Sequence, residues 1–301
     1  MQRILLTGKS GQVGFELQRS LAPMGEVVAL DIEDLDLSSP DAIRAKVREI
    51  KPRIIVNAAA YTAVDRAESE PDVAMKINGI APGVLAEEAK RLGALIVHYS
   101  TDYVFDGTKD APYTETDAPN PLGAYGRSKL AGDQAILATG VSHYIFRTSW
   151  VYAARGQNFL RTMLRLGHER TELRIVDDQI GAPTWARFIA EITAQVLGKA
   201  SGDWEQVKEN GGLYNLTAAG ATSWFGFAEA IFAEAKGSFG TRVPKLLSIP
   251  TSEYPTPARR PLNSRLDHSK FVKTFSLEPS PWDVMLRACM CDVQGEIGNG
   301  R

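Results

Sequence analysis

The sequence predicts an α/β fold: a doubly wound parallel sheet. Three observations carry that expectation. Short apolar runs without polar alternation lie at 3–7, 26–30, 54–56, 95–99 and 144–147, as suits parallel strands covered on both faces. Stretches with helical spacing separate them. The first run stops at a glycine-rich turn, Gly8-Lys9-Ser10-Gly11-Gln12-Val13-Gly14, which opens the first helix. Strand and helix alternating at these lengths imply right-handed crossovers.

Each element has a local reason. The first helix, 11–21, repeats Val13, Leu17 and Leu21 and ends before Pro23. The strand 26–30 closes at Asp31. Ser38 or Ser39 can cap a helix with Pro40 in its first turn, running to Ile50. The strand 54–56 ends at Asn57, and two helical stretches lead to the strand 95–99. A Pro-rich loop spans 106–121, and Tyr125 and Lys129 follow at the start of a helix. The strand 144–147 comes next. The second half is less regular: helices at 158–166, 185–197 and 223–235, strands at 173–176 and 213–216, and a long Pro-, Ser- and Arg-rich loop at 244–265.

The 301 residues suffice for one large or two modest domains. Lys and Arg (34) nearly balance Asp and Glu (36), leaving a net charge of −2. That argues against a partner drawn by bulk charge, so neither nucleic acid nor an anionic membrane is expected. No apolar run is long enough to span a bilayer, and the first strand begins with no signal-peptide layout, so the expected location is the cytoplasm. Cys289 and Cys291 make neither a disulfide framework nor a zinc site.

The spacing of Gly8, Gly11 and Gly14 at a strand-to-helix turn permits close approach of the backbone to a pyrophosphate at a helix N-terminus. Asp31, about 20 residues beyond the loop, is placed to accept from adenine-ribose hydroxyls and favours NADH. Lys9 pulls the other way, toward the 2′-phosphate of NADPH, so dual use is expected. Asp36 and Leu37 are expected beside the adenine. The small residues after Asn57, including Ala60, leave room for a cofactor. Tyr125 and Lys129, one turn apart, pair a phenol with an ammonium that favours its phenolate. Thr101, at the end of a strand, is placed to bond a substrate oxygen near Tyr125. Arg259, Arg260 and Arg265 suit a diphosphate through charge-assisted bonds, with Arg259 or Arg260 the expected contact. Asn158 is a weaker candidate for the same task.

These features together resemble the extended short-chain dehydrogenase/reductase superfamily. Seven longer stretches resemble one family within it, the dTDP-4-dehydrorhamnose reductases: GQVGFEL at 11–17, NAAAYTAVD at 57–65, STDYVFDG at 100–107, YGRSKLAG at 125–132, FRTSWVY at 146–152, DQIGAPT at 178–184 and PTPARRP at 255–261. Their order and spacing cover nearly the whole chain. The resemblance implies a Rossmann domain at 1–153, with returning segments about 172–198 and 212–222. It also implies a smaller α/β substrate-binding domain from C-terminal segments at 154–171 and 223–301. The implied activity is NAD(P)H-dependent reduction of the 4-keto group of dTDP-4-dehydro-β-L-rhamnose.

The roles it implies are specific. Tyr125 donates the proton, Lys129 lowers the Tyr125 pKa and binds the nicotinamide ribose, and Thr101 bonds the keto oxygen. Gly11, Gln12, Val13, Asp31, Asp36, Leu37, Ala60, Tyr61, Thr62 and Tyr99 match cofactor contacts. Thr101, Asp102 and Trp150 match contacts to the dTDP-sugar. Some members bind Mg²⁺ through glutamates at a homodimer interface. Glu16 matches one of these, but Arg187 stands where the second belongs, which argues against a metal-bridged dimer while leaving Mg²⁺ and a homodimer allowed.

Related chemistries separate on single residues. A sugar-nucleotide 4,6-dehydratase needs a glutamate where this chain has Tyr103. A 4-epimerase fits less well with the stretch after Tyr103 and with Trp150. Two alternatives stay open: a reductase of another dTDP-4-keto-6-deoxy sugar, and a non-catalytic regulatory subunit resembling the methionine adenosyltransferase β-subunit.

Overall fold

The computed structural model describes residues 2–200, 207, 209–236 and 243–298. Residues 237–242 and 299–301 of the expected second unit lie outside the described residues. Six strands form one wholly parallel sheet: β1 (Arg3–Thr7), β2 (Glu26–Leu30), β3 (Ile54–Asn57), β4 (Leu95–Thr101), β5 (His143–Thr148) and β10 (Gly212–Asn215). Their spatial order is β2-β1-β3-β4-β5-β10. The chain reverses direction across the sheet between β1 and β3, where doubly wound sheets open a crevice at the carboxyl ends of their strands.

Side chains alternate across this sheet, so each strand feeds two cores. Ile4, Leu6, Val56 and Val97 face α1 (Gln12–Leu21) and α8 (Ala186–Ala200). Leu5, Ile55 and Ile96 face α2 (Pro40–Ile50), α5 (Ala81–Leu92) and α6 (Ala124–Thr139). Ser39, not Ser38, caps α2 by accepting from the Ala42 N–H at 3.4 Å. Between β3 and α5 lie α3 (Val64–Ala67) and α4 (Pro71–Ala74), and a π-helical segment, Met75–Ile80, runs directly into α5. Such widened turns turn a residue out of the regular ladder. Here the buried Asn78 bonds Tyr61 and Ser128.

The second half packs α7 (Phe159–Glu169) and α9 (Trp224–Ala235) against a parallel pair, β7 (Glu172–Val176) and β12 (Lys245–Ile249). Asn158 and Ser223 cap the two helices instead of lying within them, and Ser223 also belongs to a short antiparallel pair, β8 (Ile180–Gly181) and β11 (Thr222–Ser223). Leu160, Phe227 and Ile231 join the core that also holds Ile4 and Leu17, so the two halves share apolar interior. The chain ends in α10 (Ser269–Phe275) and α11 (Trp282–Gly298).

Two expectations need correction. Residues 245–249 are a strand, not part of a loop at 244–265. The run Lys-Leu-Leu-Ser-Ile alternates too weakly to signal itself, and its conformation comes from pairing with β7, some seventy residues back. Trp185 does not begin a helix. It pairs with Tyr152 in the short parallel ladder of β6 (Val151–Tyr152) and β9 (Thr184–Trp185), and α8 starts one residue later.

Gly132 lets α6 meet the π segment backbone to backbone, since a Cβ there would lie 2.1 Å from the Asn78 carbonyl oxygen. Replacing Gly132 with Ala should cost about 2–3 kcal/mol by overpacking. A urea titration should show a lower midpoint with an unchanged slope.

Candidate active site

The first turn is built for close backbone approach. Gly8 has φ +75° and its missing Cβ would sit 2.8 Å from the Ala59 backbone. A Cβ on Gly14 would lie 1.9 Å from the Gly8 carbonyl oxygen, so only glycine lets α1 pack this tightly. Gly11 is the N-cap of α1 and offers no side-chain cap, which leaves first-turn N–H groups for an anionic ligand. Beside the turn lies a cleft of about 260 Å³ bordered by Gly8, Asp31, Asp36, Leu37 and Ala60. This glycine cradle and acid-lined cleft fit a dinucleotide.

The charged residues here have partners that the sequence did not reveal. The Asp31 carboxylate accepts from both the backbone N–H (2.9 Å) and the hydroxyl of Ser10. Burial pushes its pKa up, but the bonds from Ser10 and the Ile32 N–H win and hold it low. Lys9 is paired with Asp34 at 2.5 Å. Asp36 accepts from the Ser38 N–H and hydroxyl. Gln12 accepts from Asn158 at 2.9 Å. Asn158 spends its remaining polar capacity on Ala153, Arg155 and the Arg161 N–H, so it organises the start of α7. Tyr61 donates to Glu70, and Thr62 is exposed.

Tyr125, Lys129 and Thr101 come together where β4 ends against the first turns of α6. The Tyr125 hydroxyl lies close enough to Thr101 for that side chain to favour its charged form. Thr101 also donates to Asp102 at 3.1 Å and accepts from the Tyr103 N–H at 3.2 Å. The Tyr103 ring meets Tyr125 edge-on at 5.5 Å. Lys129 is 2 % exposed. Its Nζ donates to the Tyr99 carbonyl at 2.5 Å and lies 3.2 Å from His98 Nε2, rather than reaching the Tyr125 hydroxyl. The Tyr99 phenol points away, to Thr193.

Burial dominates the electrostatics. It lowers Lys129 to about 8, against the pull of the Asp133 carboxylate. It raises Tyr125 above its ordinary value, with Asp102, Tyr103 and Asp133 adding to the rise and Thr101 opposing it. The expected lowering of Tyr125 by Lys129 is therefore outweighed, and the phenol keeps its proton. Asp102 is raised to about 6, again by burial first. Asp133 is itself buried, accepts from Ser100 at 2.8 Å and pairs with the buried Arg147 at 3.4 Å.

A larger open cleft, about 910 Å³, lies between the loop after β4 and residues 251–265. Arg259, Arg260 and Arg265 border it. Arg259 is exposed. Arg260 is held by Asp65 at 3.0 Å, and Arg265 is anchored on Asn263 and the Asp110 carbonyl. Trp150 has φ +48°, unusual for a bulky residue, and is stacked at 3.7 Å on Trp224 and tight against Gly181. Trp224 covers one of its faces.

Glu16 is buried and bonded to Arg187 at 3.0 Å, and Arg187 also reaches Asp292 at 2.8 Å. A guanidinium thus occupies the carboxylate that the resemblance linked to Mg²⁺. Among the described residues no group of three or more His, Cys, Asp or Glu side chains is arranged to hold a metal. No helix among them is long and apolar enough to cross a membrane.

Asp106 staples the loop that walls the larger cleft, accepting from Thr108, Tyr113 and Asn120. These bonds, the Thr108 N–H foremost, hold its pKa well below the ordinary carboxylate range. A depressed carboxylate stabilises the fold above its unfolded pKa of about 3.9 and stops doing so as pH falls through the folded value. Asp106→Asn should therefore lower the Tm at pH 7. The gap from the parent should narrow steadily below about pH 4, as scanning calorimetry would show.

Comparisons with known proteins agree with this geometry. Residues 1–294 match the family model described as RmlD substrate binding domain. A dTDP-4-dehydrorhamnose reductase of Burkholderia thailandensis is 51 % identical over 294 residues, covering 97 % of this chain and 99 % of that one. The Escherichia coli K12 protein of the same name is 49 % identical over 286 residues, covering 93 % and 94 %. The solved structure of the Bacillus anthracis dTDP-4-dehydrorhamnose reductase in complex with NADP superimposes with a TM-score of 0.89 at 34 % identity, covering 97 % of this chain and 99 % of that one. The glycine turn, the Thr101–Tyr125–Lys129 cluster and the full-length likeness converge: the chain belongs to the dTDP-4-dehydrorhamnose reductase family.

Proposed function

We propose that the chain reduces the 4-keto group of dTDP-4-dehydro-β-L-rhamnose to give dTDP-β-L-rhamnose, using NADH or NADPH. The observation that carries this reading is the closeness of the Tyr125 hydroxyl to the Thr101 side chain, with the Lys129 ammonium buried one turn along. The nicotinamide supplies the hydride when bound. The glycine turn and the open N-terminus of α1 hold the pyrophosphate, Asp31 the adenine ribose and Lys129 the nicotinamide ribose.

Thr101 donates to the keto oxygen and turns from Asp102 to do so. Tyr125, kept protonated by burial, gives its proton to that oxygen as charge develops on it. Lys129 stabilises the phenolate left behind. Asp102 and the free part of Trp150 border the sugar, and Arg259 meets the diphosphate. Arg260, already held by Asp65, shapes the loop and adds charge. Tyr103 leaves no base for proton abstraction at C5, which favours reduction over dehydration.

Lys9 must leave Asp34 to meet a 2′-phosphate, which supports use of both cofactors. Lys9→Ala should weaken NADPH more than NADH. Oxidation of NAD(P)H on adding the keto-sugar nucleotide tests the whole reading. Tyr125→Phe should lower kcat by about 10²–10⁴-fold. Turnover by that variant at the parent's rate would sink the reading. Because Lys129 titrates near 8, kcat should hold below that pH and fall above it. Arg259→Ala should raise KM about tenfold, in line with a lost charge-assisted bond of 1.5–3 kcal/mol by usual magnitudes.

A further inference from the structure

Three neighbouring strands carry polar residues at one level. Thr7 on β1 is in register with Asn57 on β3, and Asn57 with His98 on β4. Each follows two residues after a core residue on the α5 and α6 face (Leu5, Ile55 and Ile96), so all three side chains point to that face. They are joined in a row. Thr7 Oγ1 lies 2.7 Å from Asn57 Oδ1, Asn57 Nδ2 lies 3.0 Å from His98 Nδ1, and His98 Nε2 lies 3.2 Å from Lys129 Nζ. All four residues are 1–2 % exposed. None of Thr7, Asn57 or His98 belongs to the cluster that handles the proton.

The row has a polarity, and Lys129 sets it. With the Asn57 nitrogen toward His98 Nδ1, the ring proton sits on Nε2 and points at Lys129. An ammonium offers only donors, so that arrangement requires a neutral amine. A half-turn of the Asn57 amide reverses every bond. Lys129 then donates to His98 Nε2, His98 Nδ1–H donates to the Asn57 oxygen, and Asn57 donates to Thr7. The Ala59 N–H, 3.4 Å from Thr7 Oγ1, still finds its acceptor. The charged lysine then meets an acceptor at His98 Nε2, which a buried charge requires.

We propose that His98 is a positioning residue for Lys129: a neutral imidazole, protonated at Nδ1 through Asn57 and Thr7, whose Nε2 lone pair holds the lysine ammonium beside the Tyr99 carbonyl. Burial and the nearby ammonium both push the His98 pKa down, which keeps the ring neutral. The row also links Lys129 to the residue preceding Gly8, so the ammonium and the glycine turn share one buried support. The inference rests on the catalytic reading of Lys129 but concerns how it is held.

The other titratable groups around Lys129 are few. Tyr125 and Asp133 lie on its own helix, Asp133 is paired with Arg147 on β5, and Asp102 lies beyond the end of β4. Asp133 favours the ammonium, and His98 is the uncharged acceptor that complements it.

Two measurements test this. Nitrogen-15 spectra of the full chain with NADPH bound, labelled at histidine, should show His98 at neutral pH with a protonated Nδ1 and an unprotonated Nε2. An Nε2-protonated ring or an imidazolium would overturn the proposal, and neither observation needs turnover. Replacing His98 with Leu removes the acceptor and disfavours the ammonium. The alkaline limb of kcat should then move down by about one pH unit, with kcat at pH 7 roughly halved and KM little changed. His98→Gln, whose amide oxygen can accept from Lys129, should move the limb back up. An alkaline limb in the Leu variant that superimposes on the parent's would also overturn it. Failure of the catalytic reading looks different: Lys129→Met would retain activity whatever the tautomer of His98.

Discussion

A lysine ammonium inside a protein must be held on every side, and the geometry of this site follows from that requirement. Lys129 is almost wholly withdrawn from water. Its charge survives because a backbone carbonyl, an imidazole and a nearby carboxylate replace the hydration it gives up. Those three partners come from two elements, β4 and α6. Their packing in turn depends on Gly132 and on the π segment that brings Asn78 to Ser128. The proton donation we propose for Tyr125 therefore rests on packing that extends several turns from that residue.

The same economy governs the remaining charges. Asp31, Lys9, Asp36, Arg260 and Glu16 all have protein partners in place. Partners of this kind fix a side chain's direction before a ligand arrives, which lowers the entropy lost on binding. On the proposed reading they make ligand binding an exchange of partners, as between Asp34 and a phosphate at Lys9. The exposed Arg259 differs, being presented to the larger cleft at the tip of its loop.

The parallel sheet was legible because strands covered on both faces carry apolar runs without polar alternation, and these do. The glycine turn was legible for a similar reason: tight backbone approach admits few residue types. Tyr125 and Lys129 could be named because their spacing sets them on one helix face. What stayed hidden depends on distant pairing. Lys245–Ile249 has little strand character of its own and acquires it from β7. Ser10 beneath Asp31, and Asp65 beneath Arg260, are ordinary polar residues until the fold places them. His98 is the clearest case. It sits in an apolar run where a lone histidine reads as filler, and only the register of three strands shows it in line with Asn57 and Lys129.

One edge strand of the sheet, β10, is supplied by residues 212–215, and Arg187 joins Glu16 in the first helix to Asp292 in the last. During synthesis, the sheet and its supporting ion pairs are consequently incomplete until nearly the whole polypeptide has left the ribosome. A nascent chain stalled after β5 would carry an unpaired parallel strand edge and a buried Glu16 without its cation, both of which invite misassembly. The interleaving that ties the two halves into one body thus also makes the molecule an all-or-nothing product of translation, resistant to being divided into working fragments.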